Sequence, residues 1–177
     1  LNLGRIARSI AKHDPDRSDE IGRRLTTRLR ASSVDEERIY LLLALGNAGL
    51  PSTLDAIKPF LNHPVEPMRR AAVGAVRWMP ITSAEDILLA VMAREAEPSV
   101  RLEAAESLEI RPLRAETLEL QKVLIEKEGT SSIRLSMMKN LWRGRARIEG
   151  VSDLVKRLSR QDKDEELRAA AKKLLTE

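Results

Sequence analysis

The sequence contains no cysteine, which removes disulfides, thiolate nucleophiles and cysteine-based zinc sites together. A cysteine-free chain fits the cytosol, or an extracytoplasmic space where disulfides went unused; of the two, the cytoplasm is favoured. Aromatics are scarce as well, at 2% of residues, and are carried by Trp78, Trp142, Tyr40 and Phe60. β-sheets draw on aromatic and β-branched side chains, so this scarcity points away from them. Long apolar runs are missing too. The best one, Tyr40–Leu45, falls far short of the roughly 20 residues that span a bilayer. The first residues, Leu1-Asn2-Leu3-Gly4-Arg5, include no initiator Met and no signal-peptide pattern, and read as the inside of a helix. On that ground the chain is expected to be an excised or processed piece.

The residues that carry chemistry are also thin on the ground. There are two histidines, His13 and His63, each in a turn beside a proline. Neither has a second histidine or a carboxylate four residues away, as a helical metal site would want. Asp14 and Asp16 are better read as turn and capping residues. Ser32, Ser33, Ser131 and Ser132 stand at helix starts, where serine caps, and no Gly-x-Ser-x-Gly elbow exists. Gly46-Asn47-Ala48-Gly49 follows a helix and is not followed by Lys-Ser/Thr, so it is a helix stop and not a phosphate loop. The carboxylates are spread over polar faces without an acid/base pair. The expectation is a non-enzymatic protein with no catalytic residues, no metal and no cofactor.

What the chain does have is Leu, Ala, Arg and Glu, all good helix formers, in an ordinary soluble balance of 42% hydrophobic and 33% charged residues. Thirty-one basic and 27 acidic residues leave a net charge of +4, a modest excess.

An internal repeat organises these residues. Arg38, Arg69, Arg101, Arg134 and Arg168 are spaced 31, 32, 33 and 34 residues apart. Each follows the first position of an apolar stripe, held by Met68, Val100, Ile133 and Leu167, with Glu37 in the first copy. Four positions after that residue stand Leu41, Ala72, Ala104, Met137 and Ala171, and eight after it Leu45, Val76, Leu108, Leu141 and Leu175. Ala44, Ala75, Ser107 and Asn140 keep the seventh position small; Leu174 breaks that rule. Spacing of this kind is one stripe of an α-helix, with small residues where a neighbouring helix comes close. Gly46–Pro51, Pro80, Pro112 and Gly144 end these helices. Second helices are expected at about Ser52–Asn62, Ser83–Arg94, Ala115–Lys127 and Val151–Arg160. Thr82…Glu85 and Ser33…Glu36 have capping spacing, and Ser52 or Thr53 is a further candidate cap. Before Ser33 the register is lost; Leu3–Lys12 and Ser18–Arg30 read as a divergent terminal pair.

The run Val100-Arg101-Leu102-Glu103-Ala104-Ala105-Glu106-Ser107-Leu108 resembles short HEAT repeats of the bacterial kind, and the resemblance extends over 34–177. It implies an all-α fold: a right-handed α-α superhelix, a HEAT/armadillo-like solenoid, of about five helix pairs. Residues 1–177 are then one domain, with 1–32 as the divergent pair and 33–177 as HEAT-like repeats. A shorter stretch, Leu43-Ala44-Leu45-Gly46-Asn47-Ala48-Gly49, resembles a helix-turn in the superhelical domain of vitellogenin-type lipid-transfer proteins.

In an array of this kind a feature present in every unit is structural in the first place. The repeat arginines are therefore expected to pair with acids in their own or an adjacent turn and form a ladder. Candidate partner-binding residues are those that do not repeat: Trp78 and Trp142, near helix ends, with Arg77, Arg143 and Arg145 beside them. Other basic clusters are Arg23-Arg24 with Arg28 and Arg30, Arg69-Arg70, Arg147, and Lys156, Arg157 and Arg160. The leading expectation is a scaffold for a protein or peptide partner. One alternative is the helical part of a larger lipid- or ligand-transfer protein, which would carry a β-rich domain. The other is duplex nucleic-acid binding through the basic clusters. HEAT-like alkylpurine glycosylases need an aromatic and acidic pocket, which cannot be assembled from this sequence.

Overall fold

The computed structural model describes residues 2–176; Leu1 and Glu177, the outer bounds of the expected domain, lie outside the described residues. Those residues form eleven α-helices and no strand. In chain order they are α1 (Asn2–Ile10), α2 (Pro15–Ala31), α3 (Asp35–Ala48), α4 (Leu54–Ile57), α5 (Glu66–Ala75), α6 (Thr82–Arg94), α7 (Pro98–Glu109), α8 (Ala115–Leu124), α9 (Ser131–Arg143), α10 (Val151–Gln161) and α11 (Glu165–Leu174). The helices gather into two compact units, residues 1–91 and 92–177.

In the first unit α3 has α1 on one side and α5 on the other, with α2 packed on both α1 and α3. The approach is close because the contacts are made through small residues. A Cβ on Gly46 would stand 2.8 Å from the Gly74 carbonyl oxygen and 2.9 Å from Ala75 Cα. Leu42 and Leu45 of α3, Leu29 of α2 and Met68 of α5 are fully buried. In the second unit α9 packs on α7, α8, α10 and α11, and Leu108, Leu118, Ile133, Met137 and Leu141 are buried. The small seventh positions Ala44, Ala75, Ser107 and Asn140 are all at most 3% exposed, as the stripe requires.

Helix ends follow local chemistry. Asp14 caps α2 by accepting from the Arg17 N–H at 3.1 Å, and Pro15 opens the helix where its missing N–H costs nothing. Asp164 caps α11 in the same way, accepting from Leu167 N–H. The α3 helix stops at Gly49, whose φ of +64° is open to glycine at little cost.

Several local expectations need correction. The helix expected at Ser52–Asn62 is broken into a 3-10 turn at Pro51–Thr53, the four-residue α4, and a second 3-10 turn at Lys58–Asn62. Pro59 has no N–H to donate back to Asp55, so the α-pattern cannot continue through it. Thr53 holds the cap position of α4, but neither it nor Ser52 makes a capping bond: the Ser52 hydroxyl donates to Asp19 Oδ1 at 3.0 Å and the Thr53 hydroxyl to the Leu50 carbonyl at 2.8 Å. Val34, not Ser33, holds the cap position of α3 and makes no side-chain bond there. Thr130 does the same for α9, which leaves Ser131 and Ser132 inside the first turn. Thr82 likewise falls within α6.

Candidate interaction surface

The repeat arginines make the same bond in every copy. Arg69, Arg101 and Arg134 each donate from Nη1 to the carbonyls six and five residues earlier. The distances are 3.0 and 3.1 Å to His63 and Pro64, 3.0 and 2.7 Å to Glu95 and Ala96, and 3.2 and 3.3 Å to Glu128 and Gly129. Arg38 Nε and Arg168 Nη1 reach the carbonyls of Ser32 and Asp162, also six back, at 2.7 Å. These oxygens lie at or just beyond the end of the preceding helix, where the last carbonyls lack partners and carry the negative end of the helix dipole. A guanidinium there satisfies them and ties each repeat helix to the turn that leads into it.

The residue six before each arginine has a second role. Its side chain accepts the backbone N–H two residues on: Ser32 from Val34 (3.2 Å), His63 Nδ1 from Val65 (3.2 Å), Glu95 from Glu97 (3.0 Å), Glu128 from Thr130 (2.8 Å) and Asp162 from Asp164 (2.8 Å). Four residue types thus fill one structural position, because each offers an acceptor at short reach.

In the second unit this position also receives the arginine of the preceding repeat. Arg101 meets Glu128 with both Nε (2.9 Å) and Nη2 (3.1 Å), and Arg134 meets Asp162 through Nη2 at 2.7 Å. The Arg134–Asp162 side chains are 5% and 7% exposed, so this pair is buried. Burial pushes the Glu128 carboxyl up, but hydrogen bonds from Arg101 and Thr130 outweigh it and hold the group below its usual range. Ser131 and the N–H of Leu167 act on Asp164 with the same sign, Leu167 most strongly.

The tryptophans do not repeat. Trp78 lies just past α5, 38% exposed, with the Arg8 guanidinium 4.4 Å from its ring centroid. Its backbone fills the space beside Gly49, where a Cβ would come within 2.8 Å of Trp78 Cβ. Arg77, next to it, donates from Nη2 to Asn47 Oδ1 at 3.2 Å, while its buried Nε has no hydrogen-bond partner. Trp142 is half-buried in the last turn of α9, and Arg145 stacks over it, also at 4.4 Å. Arg143 has turned to α7: it donates to the carbonyls of Glu109, Leu108 (3.1 Å) and Arg111 (3.0 Å), and to Asn140 Oδ1 (3.4 Å).

Residues 23–109 match the family model for HEAT repeats. The chain carries HEAT repeats. No curated protein matches the sequence.

Three residues of the basic clusters, Arg28, Lys156 and Arg157, are paired with carboxylates. Arg28 bonds Glu37 at 2.6 Å, and Ser32 first, then Arg28, hold the Glu37 carboxyl below its usual range. Lys156 pairs with Asp153, Arg157 with Glu126, and Arg147 donates to the Leu113 carbonyl. Glu126 also pushes the Arg157 guanidinium up. No group of three His, Cys, Asp or Glu side chains suits a metal among the described residues, and none of their helices is long and apolar enough to cross a membrane. Sequence reasoning missed the acceptor six residues before each arginine and the buried amide pair Asn140–Gln121 (3.1 Å), which links α9 to α8. Stacking the five repeats on their arginines would have revealed the first; nothing in the sequence signals the second.

Proposed function

We propose that this HEAT-repeat chain is a non-catalytic scaffold that binds a protein or peptide partner, with Trp78 as its principal anchor. The observation that carries the reading is the exposure of Trp78 between Arg8 and Arg77, outside every repeated contact. Tryptophan and arginine dominate binding hot spots, and a tryptophan preset by a close-packed backbone loses little freedom on binding. Trp142 with Arg145 is a second, more buried contact of the same kind. Arg143 is engaged by four acceptors, and we assign it to holding the end of α7. Treating residues 1–177 as one repeat series belongs to the same proposal; the arginine spacing from Arg69 to Arg101 supports it.

A net charge of only +4 and an aromatic share of 2% favour protein over nucleic acid, because they give little excess charge to track phosphates and few rings to stack on bases. Affinity capture with wild type, Trp78→Ala and Trp142→Ala tests the assignment. Loss of the captured partner with Trp78→Ala is expected, and the same partners with both variants would sink it. Duplex DNA should leave fluorescence anisotropy unchanged at low salt; a signal that falls steeply with added salt would move the function to nucleic acid.

A further inference from the structure

Arginines of the second unit divide their donors in a consistent way. Arg101 uses Nη1 for the carbonyls of its own turn and gives its Nε and Nη2 edge to Glu128. Arg134 likewise gives Nη1 to carbonyls and Nη2 to Asp162. Arg147 makes the first half of this pattern without the second. It stands in the turn between α9 and α10, where its own N–H donates to the Gly144 carbonyl at 2.9 Å, and its Nη1 donates to the Leu113 carbonyl. Among the described residues no carboxylate meets its Nε and Nη2, the edge that pairs bidentately with carboxylates.

Arg147 lines a cavity of about 260 Å³ at the end of α9, beside the turn from α7 to α8. Ile110, Leu113 and Leu118 supply apolar lining, with Ile110 44% exposed. Arg143 lines the cavity as well; its four acceptors are three carbonyls and an amide, all neutral, so it keeps its positive charge there. The acidic residue of the lining, Glu109, accepts from Ser136 Oγ at 2.5 Å, and its carboxylate bonds neither arginine. Two guanidiniums without a carboxylate, next to apolar side chains, select a carboxylate that carries a compact apolar group. The cavity lies below the roughly 300–1,000 Å³ of ordinary small-molecule sites, so the group it takes is about the size of one residue.

We propose that this cavity holds the C-terminal residue of a partner protein. The terminal carboxylate pairs with Arg147 and Arg143, and an aliphatic last side chain packs on Ile110, Leu113 and Leu118. A terminal residue joins a carboxylate and an aliphatic side chain at one carbon, whereas an internal Asp or Glu brings the carboxylate alone. Capture of a chain end by fixed donors is one of the recurring modes of peptide recognition. The carbonyl bonds of Arg143 hold its guanidinium in place beforehand, so little freedom is lost when the ligand arrives. This deepens the scaffold reading and rests on it only in taking the partner to be a protein.

The test uses the full chain and a labelled tetrapeptide ending in leucine, with its C-terminus either free or amidated; isovalerate is run alongside. The free acid is expected to bind, and the amide at least about tenfold more weakly. Arg147→Gln should bring the acid down to the affinity of the amide, so that the ratio between them collapses, whereas a general disturbance of the cavity would lower both. Arg147→Lys should recover only part of the ratio, since an ammonium cannot pair bidentately. Ile110→Glu should also weaken the acid by setting a carboxylate beside the cavity. Helicity by circular dichroism should hold in all three variants, because Arg147 and Ile110 are exposed. Equal affinity of acid and amide, an unchanged ratio in Arg147→Gln, or no binding up to millimolar peptide would overturn the proposal. Isovalerate binding without peptide binding would overturn it in favour of a small free acid. Trp78 does not line the cavity, so Trp78→Ala should leave peptide binding intact. Failure of the acid/amide difference with Trp78-dependent capture intact rejects this inference alone. The reverse result rejects only the Trp78 anchor.

Discussion

Arg134 reaches Asp162 with one nitrogen only: Nη2 bonds Oδ1 at 2.7 Å, while the buried Nε has no partner. One repeat earlier, Arg101 meets Glu128 with two nitrogens. The difference is one methylene. Aspartate, anchored at the same turn position and accepting the same backbone N–H, is too short to cover the Nε edge of the guanidinium.

Asp162→Glu is therefore expected to stabilise the protein. The longer side chain can give Arg134 the two-nitrogen pairing of Arg101 and supply an acceptor to the buried Nε, worth about 1 kcal/mol. Urea denaturation followed by circular dichroism reads this as a higher midpoint at unchanged m-value. An unchanged or lower midpoint would show that the turn at 162 cannot lengthen.

Arg101→Ala should cost far more than Arg38→Ala. Arg101 and Glu128 are 17% and 6% exposed, and removing the arginine leaves a mostly buried carboxylate without its cation. A loss of about 2–4 kcal/mol is expected. Arg38 pairs only with Asp35, at 3.5 Å and 53% exposed, so its main contribution is the bond to the Ser32 carbonyl. Its loss should be about 1 kcal/mol. Equal costs would mean that the carbonyl clamp, and not the ion pair, sets the stability of the repeat.

The regular part of this fold was readable because it repeats. Five arginines at near-constant spacing, each followed by apolar residues at helical steps, located α3, α5, α7, α9 and α11 and the small residues between them. The second helices were less legible, since Pro59 broke one and they lack an arginine to fix register. Caps failed for a related reason. Ser33, Ser52 and Ser131 have the residue type that caps, but the acceptor at each repeat turn is set by the distance back from the arginine, a rule visible only when repeats are compared. At the candidate surface, the neighbours of Trp78 come from α1 and α3, far off in sequence, and no local pattern announces the Arg8 stack.

Acid should weaken the second unit through Glu128 and Asp164. Both carboxyls are held below their usual range in the folded chain, so their stabilisation is fully present above the unfolded-state values. It is lost as pH falls through the lowered folded-state values. Unfolding free energy should decline as pH drops below about 4.5. Glu128→Gln should be less stable at neutral pH yet show a shallower decline in acid. An acid slope equal to that of wild type would mean other carboxylates carry the effect.

Gly4→Ala should release α1. In an exposed helix the change would gain about 0.8–1 kcal/mol from helix propensity, yet here a Cβ would fall inside the contact distance of the Ala44 carbonyl oxygen and lie 3.1 Å from Ala48 N. Both are backbone atoms of α3, which cannot yield as a flexible side chain could. The strain is expected to be about 1–3 kcal/mol, enough to cancel the propensity gain and separate the two helices locally. Amide exchange in α1 should accelerate while α9 stays protected, and Trp78 should lose the Arg8 stack. Gly129→Ala is the matched control, because nothing lies within 4 Å of its added Cβ and its φ is ordinary. It should be neutral or slightly stabilising, by up to about 1 kcal/mol through reduced freedom of the unfolded chain. Undiminished protection of α1 in Gly4→Ala would mean that the helix holds to α2 and not to α3.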